Sequence, residues 1–175
     1  MPVSRDIARS YRAPRRVMRE MLAAGPREDR AIAILMAGCG LVFVSQWPSL
    51  ARAEYLGGAP LDRALAYGFF AWLMIMPLAL YGLAAVAHLL ARVFGGRGSF
   101  FGARLALFWA LLASAPLILL YGLTAGLIGP GIEADIAGGA WLAAFLAFWI
   151  AGMLEAERPR GGALPDAPGA SGQER

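Results

Sequence analysis

Four long apolar runs, with charge confined almost entirely to their ends, restrict this chain to folds that live in a lipid bilayer. The runs are Ala31–Trp47, Ala64–Ala91, Leu105–Gly129 and Ile136–Leu154. A hydrocarbon core about 30 Å thick takes roughly 20 residues of helix to cross. The first run, 17 residues, sits at the short end, where Arg30 can snorkel and Trp47 can anchor at the headgroups. The second, 28 residues, reaches about 42 Å as a helix, too short for two spans and long for one; tilt or a stub beyond the bilayer is expected. The third and fourth, 25 and 19 residues, suit single spans. All four are continuous rather than alternating, which selects helices over barrel strands, since lipid-exposed backbone must satisfy its own hydrogen bonds. The expected fold class is all-α: an integral membrane bundle of four transmembrane helices within residues 26–155, preceded by an amphipathic interfacial segment, 1–25. A cleaved signal peptide is not expected. The first apolar run follows Glu28 and Asp29 and ends in Trp47-Pro48, with no small-x-small site.

Arginine placement orients the bundle. All 16 basic residues are arginine, a usage consistent with a GC-rich bacterial genome. Eight precede the first run: Arg5, Arg9, Arg12, Arg15, Arg16, Arg19, Arg27 and Arg30. Arg52 and Arg63 lie in the first loop, Arg92, Arg97 and Arg104 in the second, and Arg158, Arg160 and Arg175 in the tail. The third loop has only Glu133 and Asp135. The positive-inside rule then places both termini and the second loop in the cytoplasm of a multi-pass protein of the bacterial inner membrane.

The two ends of the chain differ in kind. In residues 3–24, Val3, Ile7, Tyr11, Met18, Met21 and Leu22 recur at helical spacing with arginines on the other face. Pro14 divides the stretch into two short helices, because a mid-helix proline loses a hydrogen bond and clashes with the preceding turn. Two readings stand. Either Arg12, Arg15, Arg16 and Arg19 hold the segment on an anionic leaflet, or the arginines only set topology. Nucleic acid is not an expected partner, since no series of base-stacking aromatics accompanies the charge. Gly25-Pro26 then starts the first span, and Glu28 and Asp29 complement its positive end. Residues 156–175, rich in Pro, Gly, Ala and Ser, read as a disordered cytoplasmic tail.

Little chemistry is available. One histidine, His88, and one cysteine, Cys39, cannot build a closed metal site or an internal disulfide. No Ser–His–carboxylate arrangement and no phosphate-binding loop motif is present, so neither an enzyme nor a cofactor protein is expected. Cys39, between Gly38 and Gly40, reads as a small packing residue. His88 lies within a turn of the cytoplasmic end of the second run, as an interfacial or hydrogen-bonded residue. A proton relay would need a carboxylate at depth, and the runs contain none.

Prolines and glycines mark the middle of the bundle. Pro77 and Pro116 fall in the second and third runs and head similar segments, PLALYGLAA and PLILLYGLTA. Paired kinks at Pro77 and Pro116, with Tyr81 and Tyr121 nearby, either line a crevice, as broken helices do in transporters, or simply bend helices whose neighbours satisfy the freed carbonyls. Gly122-x-x-x-Gly126, followed by Gly129, offers a close-packing face for a helix of the bundle or of a second copy.

The second loop is the most distinctive stretch. It runs HLLARVFGGRGSF over residues 88–100, then Arg104 and a span carrying Ala115-Pro116. Gly95, Gly96 and Gly98 permit a tight reversal, Ser99 can cap the next helix, and Arg92, Arg97 and Arg104 face the inner leaflet or an acidic partner. The turn holds a lipid phosphate on its N–H groups and arginines, or is a plain helix hairpin. A histidine-bearing helix end, this glycine-basic-glycine-Ser-aromatic turn and the later proline resemble the Yip (Ypt-interacting protein) domain family, particularly its bacterial members. The likeness covers most of residues 5–154 and is strongest in the loop. It implies a small multi-pass helical membrane protein with a cytoplasmic N-terminus. Eukaryotic members interact with Rab-type GTPases in membrane trafficking. The family commonly has five spans against four here, and the Asp-Leu-Tyr-Gly-Pro element of some eukaryotic members is absent, so GTPase binding is not carried over.

The expected function is a non-catalytic scaffold or accessory protein. It packs against a larger membrane complex, associates with itself, or organises anionic lipids, using the N-terminal arginines and the Gly95–Ser99 loop. The alternative is a small oligomeric transporter or channel with a crevice between Pro77 and Pro116.

Overall fold

A chain this apolar can hide its backbone polarity only in helices, and the computed structural model, which describes residues 3–158, contains helices and no strands. The elements are α1 (Val3–Ser10), α2 (Pro14–Ala23), α3 (Glu28–Ser45), α4 (Trp47–Tyr55), α5 (Leu61–Phe70), a π turn (Ala71–Ile75), α6 (Met76–Val93), α7 (Phe100–Ala113), α8 (Ala115–Leu127) and α9 (Ile132–Ala156). Among the described residues, three helical stretches are long and apolar enough to cross a membrane: Glu28–Tyr55, Leu61–Val93 and Ile132–Ala156. The pair α7–α8, bent by 43°, is a fourth if taken as one span. The protein is an all-α membrane bundle. The tail expected to be disordered lies, from residue 159 onward, outside the described residues.

Two of the runs contain a proline and a third is followed directly by one, Pro48, and each of these prolines sits in the first turn of a helix. That is where its missing N–H costs nothing. The first span therefore does not stop at Trp47. The chain breaks at Gln46, Pro48 opens α4, and the helix continues to Tyr55. The Ser45 hydroxyl donates to the Val42 carbonyl at 2.6 Å beside the break. In the second run the π turn, with its wider hydrogen-bonded ring, precedes Pro77 and carries one helix through the obstruction. In the third run Ser114 separates α7 from α8, and its hydroxyl donates to the Leu111 carbonyl at 3.1 Å.

The core is centred on α7. Every residue from Leu105 to Ala115 is buried, and Phe108 and Leu107 are among the largest fully buried side chains. α7 packs against α9, α3, α6 and α1, so it is sheathed by protein rather than by lipid. α8 leaves this centre to lie on α4, α9 and α3. Gly122 and Gly126 make that possible: a Cβ on Gly122 would collide with the Ser45 carbonyl, and one on Gly126 with Pro48. The glycine face left open by the sequence between bundle and second copy is occupied here by the α3–α4 joint.

Candidate functional site

The N-terminal segment is a helical hairpin folded onto the bundle. α1 packs against α2 and α7, and α2 packs against α9. The apolar face of α2 expected at the lipid interface is covered by protein: Val17, Met18 and Met21 are buried in the core. The turn between the helices reaches along the span region. Tyr11 meets Phe148 edge-on at 5.0 Å between ring centroids, and Phe148 lies eight residues, about 12 Å of helix, before the end of α9. Ser10, fully buried, accepts a hydrogen bond from the Trp109 indole at 3.0 Å and donates to the Asp6 carbonyl at 2.9 Å. A buried indole N–H needs such a partner.

Ion pairs tie the hairpin together and to the bundle. Arg9 forks onto both oxygens of Glu20 at 2.8 and 3.0 Å, and Arg16 adds a third bond to the same carboxylate. The Arg9 hydrogen bond, helped by the Arg9 charge and by the bond and charge of Arg16, holds the Glu20 carboxyl below its ordinary value against the opposing effect of desolvation. Arg19 bonds Glu155, near the end of α9, at 2.7 Å. That bond raises the Arg19 guanidinium further above its already high value. These contacts leave Arg12, Arg15 and Arg16 exposed along the turn. Arg15, Arg16 and Arg19, with Ala13, Pro14 and Glu20, border a cavity of about 620 Å³. It is an open groove with mostly apolar walls, bordered by three arginines, with Glu20 already engaged by Arg9 and Arg16 and Arg19 by Glu155.

The second half of this end is the loop after α6. Gly95, at φ +86°, takes the left-handed conformation that favours glycine and turns the chain back. The loop N–H groups are then spent inside the protein. Gly95 donates to the Arg92 carbonyl, Gly96 to the Ala91 carbonyl and Arg97 to the Glu157 carbonyl. Gly98 donates to the Glu157 carboxylate at 2.8 Å. The other oxygen of that carboxylate lies 2.8 Å from Nδ1 of the buried His88, whose ring is edge-on to Phe100. Of the two readings of this turn, lipid phosphate on its N–H groups or plain hairpin, the geometry favours the hairpin, because the Gly98 N–H is engaged by Glu157. The carboxylate partner missing from the apolar runs comes from the residue just past α9. Ser99 caps α7 by accepting from the Gly102 N–H at 3.1 Å.

The sequence-nominated arginines separate into two sets. Arg92 and Arg97 are exposed and form no ion pair among the described residues. Arg104 is tied inward: it pairs with Glu28 and lies over the rings of Tyr81 and Phe100 at 5.5 and 5.0 Å. The crevice residues are not gathered. Tyr81 packs edge-on against Phe108 of α7, whereas Tyr121 lies beside Gly138 of α9. Among the described residues, no three His, Cys, Asp or Glu side chains come together as a metal-holding group.

Glu155 and Glu157 were missed from sequence, although a signal was present. Both stand at the C-terminal end of α9, where the helix dipole disfavours carboxylates. A pair of acids there needs compensating donors, and Arg19, Arg158, His88 and the Gly98 N–H supply them. No curated protein and no solved structure matches this chain. The family model of the Yip1 domain matches residues 8–164, which takes in the end of α1, α2, the bundle and the loop locked by Glu157. With nine-tenths of its length so matched, this membrane protein belongs to the Yip1 domain family.

Proposed function

We propose that the protein is a non-catalytic scaffold or accessory subunit of the bacterial inner membrane, with both termini cytoplasmic, that gathers anionic lipid or an acidic membrane partner at its arginine-rich end. The observation that carries this reading is the apolar-walled groove bordered by Arg15, Arg16 and Arg19, whose turn lies against Phe148 rather than beyond the helix ends. Arginines at that level reach the headgroup layer by snorkelling, and each charge near an anionic leaflet contributes about 1 kcal/mol. Arg12, Arg92 and Arg97 are exposed as well. The orientation follows from the arginine asymmetry between the two ends of the bundle.

The test is purification of the tagged protein from native membranes in mild detergent, with co-purifying proteins and lipids identified by mass spectrometry. Enrichment of an anionic phospholipid or a stoichiometric integral membrane partner is expected, with a loss of several-fold in the Arg12→Ala, Arg15→Ala, Arg16→Ala triple variant. A protein that retains neither, or a folded triple variant that retains both unchanged, overturns the reading. The packing does not favour a transporter crevice between Pro77 and Pro116, because α6 packs on α7 and α3 while α8 packs mainly on α4, α9 and α3. Solute flux through liposomes holding the purified protein alone would revive it.

A further inference from the structure

The ends of α6 and α9 enclose a second cavity with a different chemical character. It measures about 410 Å³, inside the range of about 300–1,000 Å³ typical of small-ligand sites. Ala91, Phe94, Met153 and Leu154 form its apolar side, and Glu157 and Arg158 stand on its polar side. Phe94 is 87% exposed and Leu154 50%, so the apolar side opens outward from the bundle. Glu157 retains acceptor capacity. His88 and the Gly98 N–H use one site on each carboxylate oxygen, and each oxygen has two lone pairs.

The charges discriminate between headgroups. A purely anionic headgroup suits the hairpin groove but meets Glu157, and Glu155 behind Arg158, in this cavity. A headgroup carrying both an ammonium and a phosphate matches a carboxylate and a guanidinium held on adjacent residues. We propose that this cavity binds an aminophospholipid. The primary ammonium donates to Glu157, the phosphodiester accepts from Arg158, and the acyl chains run past Phe94 and Leu154. A quaternary ammonium has no N–H to donate, so a choline headgroup fits poorly. The inference rests on the reading that the arginine-rich end meets lipid headgroups.

The experiment is native mass spectrometry of the full-length protein in detergent, offered equal amounts of phosphatidylethanolamine, phosphatidylcholine and phosphatidylglycerol with identical acyl chains. The wild type is expected to retain the ethanolamine lipid about tenfold better than the choline lipid, the size of effect that one charge-assisted hydrogen bond supplies. Glu157→Gln should remove that preference while leaving phosphatidylglycerol adducts, which belong to the Arg15–Arg19 groove. Ala91→Phe narrows the cavity without touching the bonds of Glu157 to His88 and Gly98, and should also lower ethanolamine lipid retention; it decides the matter if Glu157→Gln fails to fold. Equal retention of ethanolamine and choline lipids by the wild type, or undiminished preference in a folded Ala91→Phe protein, overturns the proposal. Retained phosphatidylglycerol with no ethanolamine preference sinks this cavity alone, whereas loss of all three lipids sinks the headgroup reading of the whole end.

Discussion

The segments headed by Pro77 and Pro116 have nearly the same residues and opposite fates. After Pro77 the helix runs on to Val93 within a stretch that is only 11% buried over its most apolar window. At Ser114, just before Pro116, the chain bends by 43°, and the helix beyond it drives its glycines against a neighbouring backbone. Gly82 has open space where a Cβ would go; its counterpart Gly122 has the Ser45 carbonyl. Tyr81 turns inward onto Phe108, and Tyr121 stays partly exposed beside Gly138. The local sequence sets up a proline-headed helix in both places. What surrounds the helix before the proline decides the rest. α7 is enclosed on all sides, so the chain leaving it turns to find a packing face, while α5 has lipid-facing freedom and the π turn absorbs the proline in line.

The contrast is sharpest at large side chains. Phe108→Ala in α7 should cost about 3 kcal/mol, the low end for aromatic truncation, because lipid is as apolar as the core and only packing is lost. Leu78→Ala, 76% exposed in α6, should stay within about 0.5 kcal/mol. Denaturant unfolding in a constant detergent background measures both, and similar losses at the two sites would break the distinction.

The glycine pair comes next. Gly122→Ala forces α8 away from Ser45 and should destabilise by about 1–3 kcal/mol. Gly82→Ala should be neutral, or stabilise by up to about 1 kcal/mol through better helix propensity. Thermal melts of the two variants provide the comparison; a tolerated Gly122→Ala would mean the α4–α8 contact is looser than described.

Ser10→Ala probes how far the hairpin contributes to the enclosure of α7. It leaves the Trp109 indole N–H without a partner and should cost about 1–2 kcal/mol. Hydrogen exchange should rise in α1 and α2 and remain unchanged in α5 and α6.

The smallest effect is on acidity. Glu20 has a lowered folded-state value, so its contribution is present above the ordinary carboxyl value of 4.5 and fades as pH falls through the lowered one. Titration from about pH 6 to pH 3 should loosen the α1–α2 hairpin ahead of α5–α6, as followed by hydrogen exchange. Glu20→Gln should diminish the hairpin's acid response, leaving the share of the Arg19–Glu155 pair, and an unchanged response would place its origin elsewhere.

Much of the fold was legible because lipid imposes few solutions. Runs of uncharged residues at bilayer length must be helices, and the division at Pro14 into α1 and α2 and the Ser99 cap followed from local rules. The prolines were legible as interruptions only. Two similar segments, PLALYGLAA and PLILLYGLTA, follow an in-line π turn in one place and a bend in the other, and nothing within them says which. At the candidate site, the glycine turn and its arginines were visible, yet their roles were not. Arg104 looks like Arg97 in sequence, but Glu28, Tyr81 and Phe100 reach it from other helices. The Gly95–Ser99 turn looks open, but Glu157, 59 residues from Gly98, fills it.

The sequence by itself determined that this protein is a helical membrane bundle of the Yip1 domain family with one arginine-rich end, because hydrophobic length, charge position and proline placement act locally and along one dimension. Only the tertiary structure decided that α7 is the protein-sheathed centre, that the N-terminal hairpin covers its apolar face with the bundle, and that Glu155 and Glu157 lock the arginine-rich end. These depend on which faces meet across long separations, and a helix of nearly uniform apolarity has no amphipathic stripe to announce its partner.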